Sequence, residues 1–370
     1  MARADYAPSP ARIKVIGLGG GGCNAVSRMV REGIIGVDFV GVNTDAQALL
    51  RCEAPTLIRI GDKLTKGLGV GGDHDMGLEA AEESRGELQE IIAGSDMVFI
   101  TAGMGGGTGT GAASVIADIA KEGGALTIAV VTKPFSFEGA RRFQVADEGI
   151  TKLVDSVDTL ITIPNDRLLS ICDEKVQMQT AFKLADEVLQ QGVQSIAELI
   201  TVPGEINLDF ADVKAVMSKA GPAWMSIGRG TGQNRAVDAA KAAIASPLLD
   251  VSIEGSKGVL FNVTGGPGLT LHEVNEAAAV ISQAVDPEAN IIFGVVFDPE
   301  MDNDVRITLI ATGFASRTSR PAMDEELRKL MKGLEDEDKL DVPAFMRRPA
   351  PVWRQQVVTQ PTKTSGMPRR

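Results

Sequence analysis

Gly103-Met104-Gly105-Gly106-Gly107-Thr108-Gly109-Thr110-Gly111 is the stretch on which the reading of this chain turns. It follows Met97-Val98-Phe99-Ile100, an apolar run of strand type, and precedes a helical pattern over about 112–122. Glycine loses more backbone freedom on ordering than any other residue, so a cluster this dense is costly unless the backbone must approach something closely. Tight helix–strand packing is one such need. An anion is another, because bare backbone can turn its N–H groups inward with a helix dipole behind them. No P-loop lysine accompanies these glycines. Neutralising a phosphate here would fall to N–H groups, to the hydroxyls of Thr108 and Thr110, and to Mg2+.

Gly17-Leu18-Gly19-Gly20-Gly21-Gly22-Cys23-Asn24 repeats the arrangement between a strand over 13–18 and a helix over 24–31. A single GxGxxG pattern is weak evidence, since tight turns produce it by chance. Two such loops at the carboxyl ends of strands favour phosphate binding over packing alone. Cys23 lies beside a predicted helix start that would lower its pKa, which makes it an expected reactive thiol near the loop. The plain alternative is a small residue with no special role.

Outward from these loops, 39–42, 126–131 and 159–163 are apolar runs without strict alternation, as expected of strands buried on both faces of a parallel sheet. Phe182, Ala185, Leu189, Val193, Ile196 and Ile200 recur at spacings of three and four, predicting a long helix over 180–201 that Pro203-Gly204 stops. A second set of strands is expected at 223–227, 259–263, 291–296 and 305–310, with helices at 234–245 and 271–284 and a short one over 213–219. From Ala315 the composition turns to charge, Pro, Arg, Thr and Gln, which predicts a disordered tail around one short helix over 324–334.

Composition narrows the function classes. The 370 residues carry a formal charge of −12, which disfavours nucleic acid as the main partner. Cys23, Cys52 and Cys172 are too few and too dispersed for a disulfide framework or a zinc site, and no protein metal-ligand set is expected. No apolar run is long enough for a membrane span or a signal peptide, so the cytoplasm is the expected location and direct membrane insertion is not expected.

The run 105–111, GGGTGTG, together with Asn207-Leu208-Asp209-Phe210-Ala211-Asp212-Val213, resembles the tubulin/FtsZ family of cell-division GTPases. The resemblance extends from about Arg12 to Phe314. It implies an α/β fold: a Rossmann-like parallel-sheet GTP-binding domain over 12–178, a central helix over 179–202, and a smaller α/β domain with a mixed sheet over 203–314. A disordered lead over 1–11 and a flexible tail over 315–370 flank them. It also implies a GTPase that binds GTP or GDP with Mg2+ and assembles head-to-tail into filaments of a bacterial division ring at mid-cell.

By that resemblance the nucleotide contacts Gly20, Gly21, Gly22 and Asn24 in the first loop and Gly106, Gly107, Thr108, Gly109 and Thr110 in the second. Asn43, Thr44 and Asp45 lie near the phosphates, although Asp45 equally suits a helix N-cap or the ribose-binding acid of a dinucleotide fold. Glu138 and Arg142 match ribose and phosphate contacts; their i, i+4 spacing otherwise reads as a surface pair on one helix face. Asn165, Phe182 and Asp186 match the base pocket. A carboxylate at Asp186 accepts from guanine N1–H and the exocyclic amine, whereas adenine offers an acceptor at N1. From sequence alone, Phe182 reads as core.

Asp209 and Asp212 read first as a helix cap with its partner three residues on. The resemblance instead makes them the carboxylates that position the attacking water on the nucleotide of the next subunit. It also marks 341–348, Asp-Val-Pro-Ala-Phe-Met-Arg-Arg, as a peptide for membrane-tethering and regulatory partners, with a shorter spacer than usual and further chain to Arg370. Two alternatives stay open: an NAD-dependent Rossmann-type oxidoreductase, and a tubulin-like scaffold that binds GTP without hydrolysing it.

Overall fold

Strands without polar alternation need cover on both sides, and the arrangement of helices supplies it. The computed structural model describes residues 11–169, 177–201, 209–246, 253–298 and 301–314. The chain divides into two units, Met1–Ala315 and Ser316–Arg370, and all that is described belongs to the first. The predicted helix at 324–334, the tail peptide at 341–348, Pro203-Gly204, Asn207-Leu208, Cys172 and the lead over 1–10 lie outside the described residues.

The strands are β1 (Ile13–Leu18), β2 (Val37–Asn43), β3 (Thr56–Arg59), β4 (Met97–Gly103), β5 (Leu126–Lys133), β6 (Thr159–Pro164), β7 (Gly221–Thr231), β8 (Gly258–Gly265), β9 (Asn290–Phe297) and β10 (Asp304–Thr312). The helices are α1 (Gly19–Arg31), α2 (Ala46–Leu49), α3 (Asp62–Thr65), α4 (His74–Glu83), α5 (Arg85–Ile92), α6 (Thr108–Glu122), α7 (Ala140–Ser156), α8 (Asn165–Leu169), α9 (Met178–Thr201), α10 (Phe210–Met217), α11 (Arg235–Ile244) and α12 (Leu271–Ala284).

Among the described residues, the strands form one sheet in the order β3-β2-β1-β4-β5-β6-β7-β10-β8-β9. Every pairing from β3 to β7 is parallel, with residues 159–161 against 221–223 at the junction. β10 runs antiparallel to both β7 and β8, while β8 and β9 are parallel, so the second part is mixed. This is the expected α/β architecture. Alternate residues of the central strands serve opposite cores. Ile13, Val15, Phe99 and Ile128 pack with α1 and α9, and Ile16, Leu18, Ile100 and Val131 with α4 to α7. A third core joins α11 and α12 to β8 and β10.

Helix α9, with 24 residues, is about 36 Å long at 1.5 Å per residue. A Cβ at Gly192 would sit 3.0 Å from Met225 Sδ and 3.2 Å from Val130 Cγ1, so the helix lies close on β5 and β7 at once. Its last residue, Thr201, packs on Gly36, just before β2, at the amino-terminal edge of the strands. Helix α10 is anchored at that same edge, because Thr159 Oγ1, at the start of β6, donates to Met217 O.

Three readings shift. α1 and α6 begin at Gly19 and Thr108, earlier than the patterns at 24 and 112 predict, because glycine's poor helix propensity masks a start that packing enforces. α10 begins at Phe210 rather than 213, because Asp209 is its N-cap. β3, α3, α4, α5, α7 and α8 were not anticipated. Of these, α4 meets α6 backbone to backbone: a Cβ at Gly111 would run into His74 O, and one at Gly77 into Gly107 O. No helix among the described residues is long and apolar enough to cross a membrane.

Candidate functional site at the carboxyl edge of the parallel strands

β1 and β4 are neighbours in the sheet, but the chain leaves them toward opposite sides, β1 to β2 and β4 to β5. Such a switch point opens a crevice at the carboxyl ends of the strands. Both glycine loops fall there. A Cβ at Gly19 would sit 2.9 Å from Gly109 N, and one at Gly21 3.3 Å from Gly103 N, so the loops touch through their backbones. Neither α1 nor α6 has a side-chain cap, whereas α2, α4 and α12 are capped by Asp45, Asp73 and Thr270. Uncapped helix starts leave N–H donors to be satisfied from outside.

Space separates two kinds of glycine here. At Gly22 a Cβ would collide with Thr101 O, which is a packing reason for glycine. At Gly20 and Gly106 a Cβ would meet nothing within 4 Å, and neither residue has positive φ. Internal packing therefore does not account for these two glycines, and the space over their backbone is open.

The hydroxyls are partly committed to the protein. Thr44 Oγ1 and Thr108 Oγ1 share a buried 2.8 Å hydrogen bond that ties the end of β2 to the second loop. Thr110 Oγ1 accepts from Gly105 N at 2.9 Å. Asn43 Oδ1 accepts from Asp45 N, and Asp45 Oδ1 caps α2 by accepting from Gln47 N and Ala48 N. The N-cap reading of Asp45 is thus the geometry observed.

A cavity of about 530 Å³ beside the second loop is lined by Gly71, Gly72, Gly105, Gly106, Glu138 and Arg142, among others. Glu138 and Arg142 form a 2.9 Å ion pair, but not along one helix as the spacing suggested. Glu138 closes a 3-10 turn over Ser136–Glu138, and Gly139, at φ 101°, breaks the chain before α7. Glu138 also accepts from Phe135 N at 2.8 Å, which fixes the turn. Gly71 and Gly72 were missed from sequence. Their run at 67–72 was legible as a glycine cluster, but no apolar strand leads into it.

Two of the proposed base residues, Phe182 and Asp186 of α9, line a second cavity of about 390 Å³ together with Asn24 and Arg28 of α1. Phe182 is 39% exposed and so is not core. It stands edge-on to the buried Phe135, with ring centroids 5.4 Å apart. Asn165 opens α8 just after β6; it is buried, and its Oδ1 has no partner. A buried amide oxygen without a donor is costly unless a ligand supplies one. Burial pushes the Asp186 carboxyl up to about 6, against the opposing pull of Arg28.

Cys23 corrects the expectation of a reactive thiol. It is buried beneath the loop, where its Sγ donates toward Gly17 O and Val42 O. The neighbouring Cys52 thiol and burial push its pKa up, and the helix start does not offset them.

Asp209 and Asp212 are not brought to the crevice. They open α10, whose other end is anchored at the amino-terminal edge of the sheet. Together they form a capping box, with Asp209 Oδ1 accepting from Ala211 N and Asp212 Oδ2 from Asp209 N.

Residues 12–173 match the family model for the Tubulin/FtsZ family, GTPase domain, and residues 221–315 that for the FtsZ family, C-terminal domain. Among solved structures, an empty FtsZ dimer from M. jannaschii is 50% identical, with 84% of this chain and 90% of that chain covered and a TM-score of 0.81. CetZ1 from Haloferax volcanii, a GDP-bound monomer, shares the fold at 23% identity, with 87% and 99% covered and a TM-score of 0.72. CetZ2 from the same organism, in a GTPγS-bound protofilament, shares it at 20% identity, with 88% and 99% covered and a TM-score of 0.71. With half its residues shared with FtsZ over most of its length, the chain belongs to the Tubulin/FtsZ family and carries that family's GTPase domain.

Proposed function

We propose that the chain binds GTP across the two glycine loops and hydrolyses it in a site completed by the next copy in a head-to-tail filament, the filament of a cell-division ring. The observation that carries this reading is the separation of an uncapped glycine cradle at one edge of the sheet from Asp209 and Asp212 on an element anchored at the other. Within one molecule the two cannot act on the same phosphate. Between copies they can.

In this reading Gly20 to Gly22 and Gly106 to Thr110 hold the phosphates, Glu138 and Arg142 flank the ribose, and Asn165, Phe182 and Asp186 take the base. Asp209 and Asp212 of the neighbouring copy orient the attacking water. Phosphoryl transfer depends on positioning and charge compensation more than on covalent chemistry, so completing the site by contact suffices. Among the described residues no three His, Cys, Asp or Glu side chains converge as a metal site; in this reading Mg2+ would be held mainly by phosphate oxygens and water. When bound, Mg2+ would neutralise phosphate charge.

The matched bounds of the two family models support a nucleotide-binding part over 12–178 and an activating part over 203–314, joined by the helix over 179–202. An FtsZ dimer and a CetZ2 protofilament among similar structures support self-association. The tail peptide at 341–348 is proposed to dock on membrane-tethering proteins at the division site.

The test is light scattering and phosphate release, followed with GTP and Mg2+ across protein concentrations. Scattering above a threshold, with turnover rising steeply at that threshold, supports the shared site. Turnover linear in protein without scattering overturns it, and polymer without phosphate release identifies a non-hydrolysing scaffold.

A further inference from the structure

The base cavity contains a charged group that the assignment of Asn165, Phe182 and Asp186 leaves without a role. Arg28 reaches from α1 to α9, where its Nε donates to Gln190 Oε1 at 3.1 Å and its Nη2 pairs with Glu187 Oε2 at 3.4 Å. Glu187 adjoins Asp186, and Gln190 lies one helical turn beyond it, so the guanidinium is pinned alongside that turn of α9. Arg28 and Asp186 line the same cavity.

We propose that Arg28 is a specificity-determining residue of the guanine site, acting through Asp186 by holding its carboxyl in the anionic form. The inference rests on the nucleotide-binding reading above and deepens it. Guanine presents two donors, N1–H and the C2 amine, which an ionised carboxylate accepts together. A protonated carboxyl presents a donor of its own, which opposes guanine N1–H and matches the acceptor at adenine N1. The charge on Asp186 therefore decides which base fits.

Two opposing influences act on that charge. Burial favours the neutral carboxyl, and Arg28 favours the carboxylate. The other charges at the cavity do less. Arg31 is committed to Glu53 through Nη2 at 2.6 Å and Nε at 2.9 Å. Glu187 is committed to Arg28, and Arg51 and Lys183 stand exposed at the rim, where solvent screens them. Arg28 is paired with Glu187, which offsets part of its pull, but with only 28% of its side chain exposed and its guanidinium held against the turn of α9 that carries Asp186, its charge is screened less.

The experiment measures GDP and ADP dissociation constants for the full chain between about pH 5.5 and 8.5, a range bracketing the shifted carboxyl. It compares the parent with Arg28→Met, which keeps an apolar stem, Arg28→Lys, which restores the charge, and Asp186→Asn. In the parent, GDP affinity should hold above about pH 6 and fall below it. In Arg28→Met the fall should begin about one pH unit higher, with the GDP preference reduced about tenfold near pH 6.5. Arg28→Lys should restore the parent profile, and Asp186→Asn should show no such fall. A parent that binds GDP with an Arg28→Met profile of unchanged midpoint overturns the inference and leaves the nucleotide-binding reading standing. A parent that binds neither nucleotide overturns both. Thermal melts report folding, and Arg28→Gln replaces Arg28→Met if the latter does not fold.

Discussion

The start of α6 and the start of α10 answer the same physical problem differently. Both leave N–H groups that the helix itself cannot satisfy. At α10, Asp209 and Asp212 close a capping box, and nothing outside the chain is needed to explain them. At α6 no side chain caps the helix, and Gly106 before it faces open space. One end is closed by the chain's own side chains, and the other leaves its N–H groups open to the crevice. The chain leaves its own chemistry unfinished at the start of α6. At α10, a catalytic role has to be added to a structural one that already suffices.

Asp212→Ala tests that addition most sharply. If the aspartate acts on the neighbour's nucleotide, turnover should drop about 100-fold or more while GTP affinity is unchanged and stability falls by about 1 kcal/mol. Parent-level phosphate release would reduce Asp212 to its cap.

A second capping box supplies the control. Glu273 occupies the third position of the box at α12, as Asp212 does at α10, but it also pairs with the buried Arg235 at 2.7 Å. No ion pair reaches Asp212 among the described residues. The Arg235 guanidinium, helped by Thr270, holds the Glu273 carboxyl down at about 2. A depressed carboxyl contributes stability above its ordinary value near 4.5 and loses it as pH falls toward about 2. Arg235→Met should destabilise by about 3 kcal/mol, measured by denaturant unfolding at neutral pH, and should flatten the acid limb of the stability curve. GTP affinity should not change.

The two kinds of glycine give the next effect. If the nucleotide lies over this loop, Gly106→Ala should weaken GTP binding about tenfold with little change in melting temperature, because the added methyl group meets no protein atom. Gly22→Ala should instead destabilise the fold by about 1–3 kcal/mol, since its methyl group collides with Thr101 O. Equal losses of affinity and stability at both positions would erase the distinction. The smallest effect is expected at Cys23: a thiol reagent should leave it unmodified in the folded protein and labelled after unfolding, as read by mass spectrometry.

The parallel strands other than β3, both glycine loops and α12 were legible because their patterns are local. Apolar runs mark buried strands, and Leu271–Ala284 matches the predicted helix residue for residue. What escaped was set by tertiary contact. The segment holding β3, α4 and α5 has short elements and weak periodicity, so nothing in it announces the packing of Ala80 and Leu88 on the sheet. Gly71 and Gly72 lack a leading strand, and their place beside Glu138 and Arg142 exists only after folding. Cys23 was misread because a helix start is visible in sequence, whereas the burial and the Cys52 thiol that oppose it come from elsewhere in the fold. Phe182 was misread for the opposite reason, since helical spacing suggested a core that the neighbouring elements leave open.

The backbone contact between α4 and α6 carries a consequence for sequence drift. When two side chains crowd each other, enlarging one can be rescued by trimming the other, and lineages cross such sites by paired substitutions. At Gly111 and Gly77 the opposing atoms are main-chain, His74 O and Gly107 O, which no substitution can trim. Compensatory change is closed at both positions. The seam beside the second glycine loop should stay fixed while the loops and helices around it diverge.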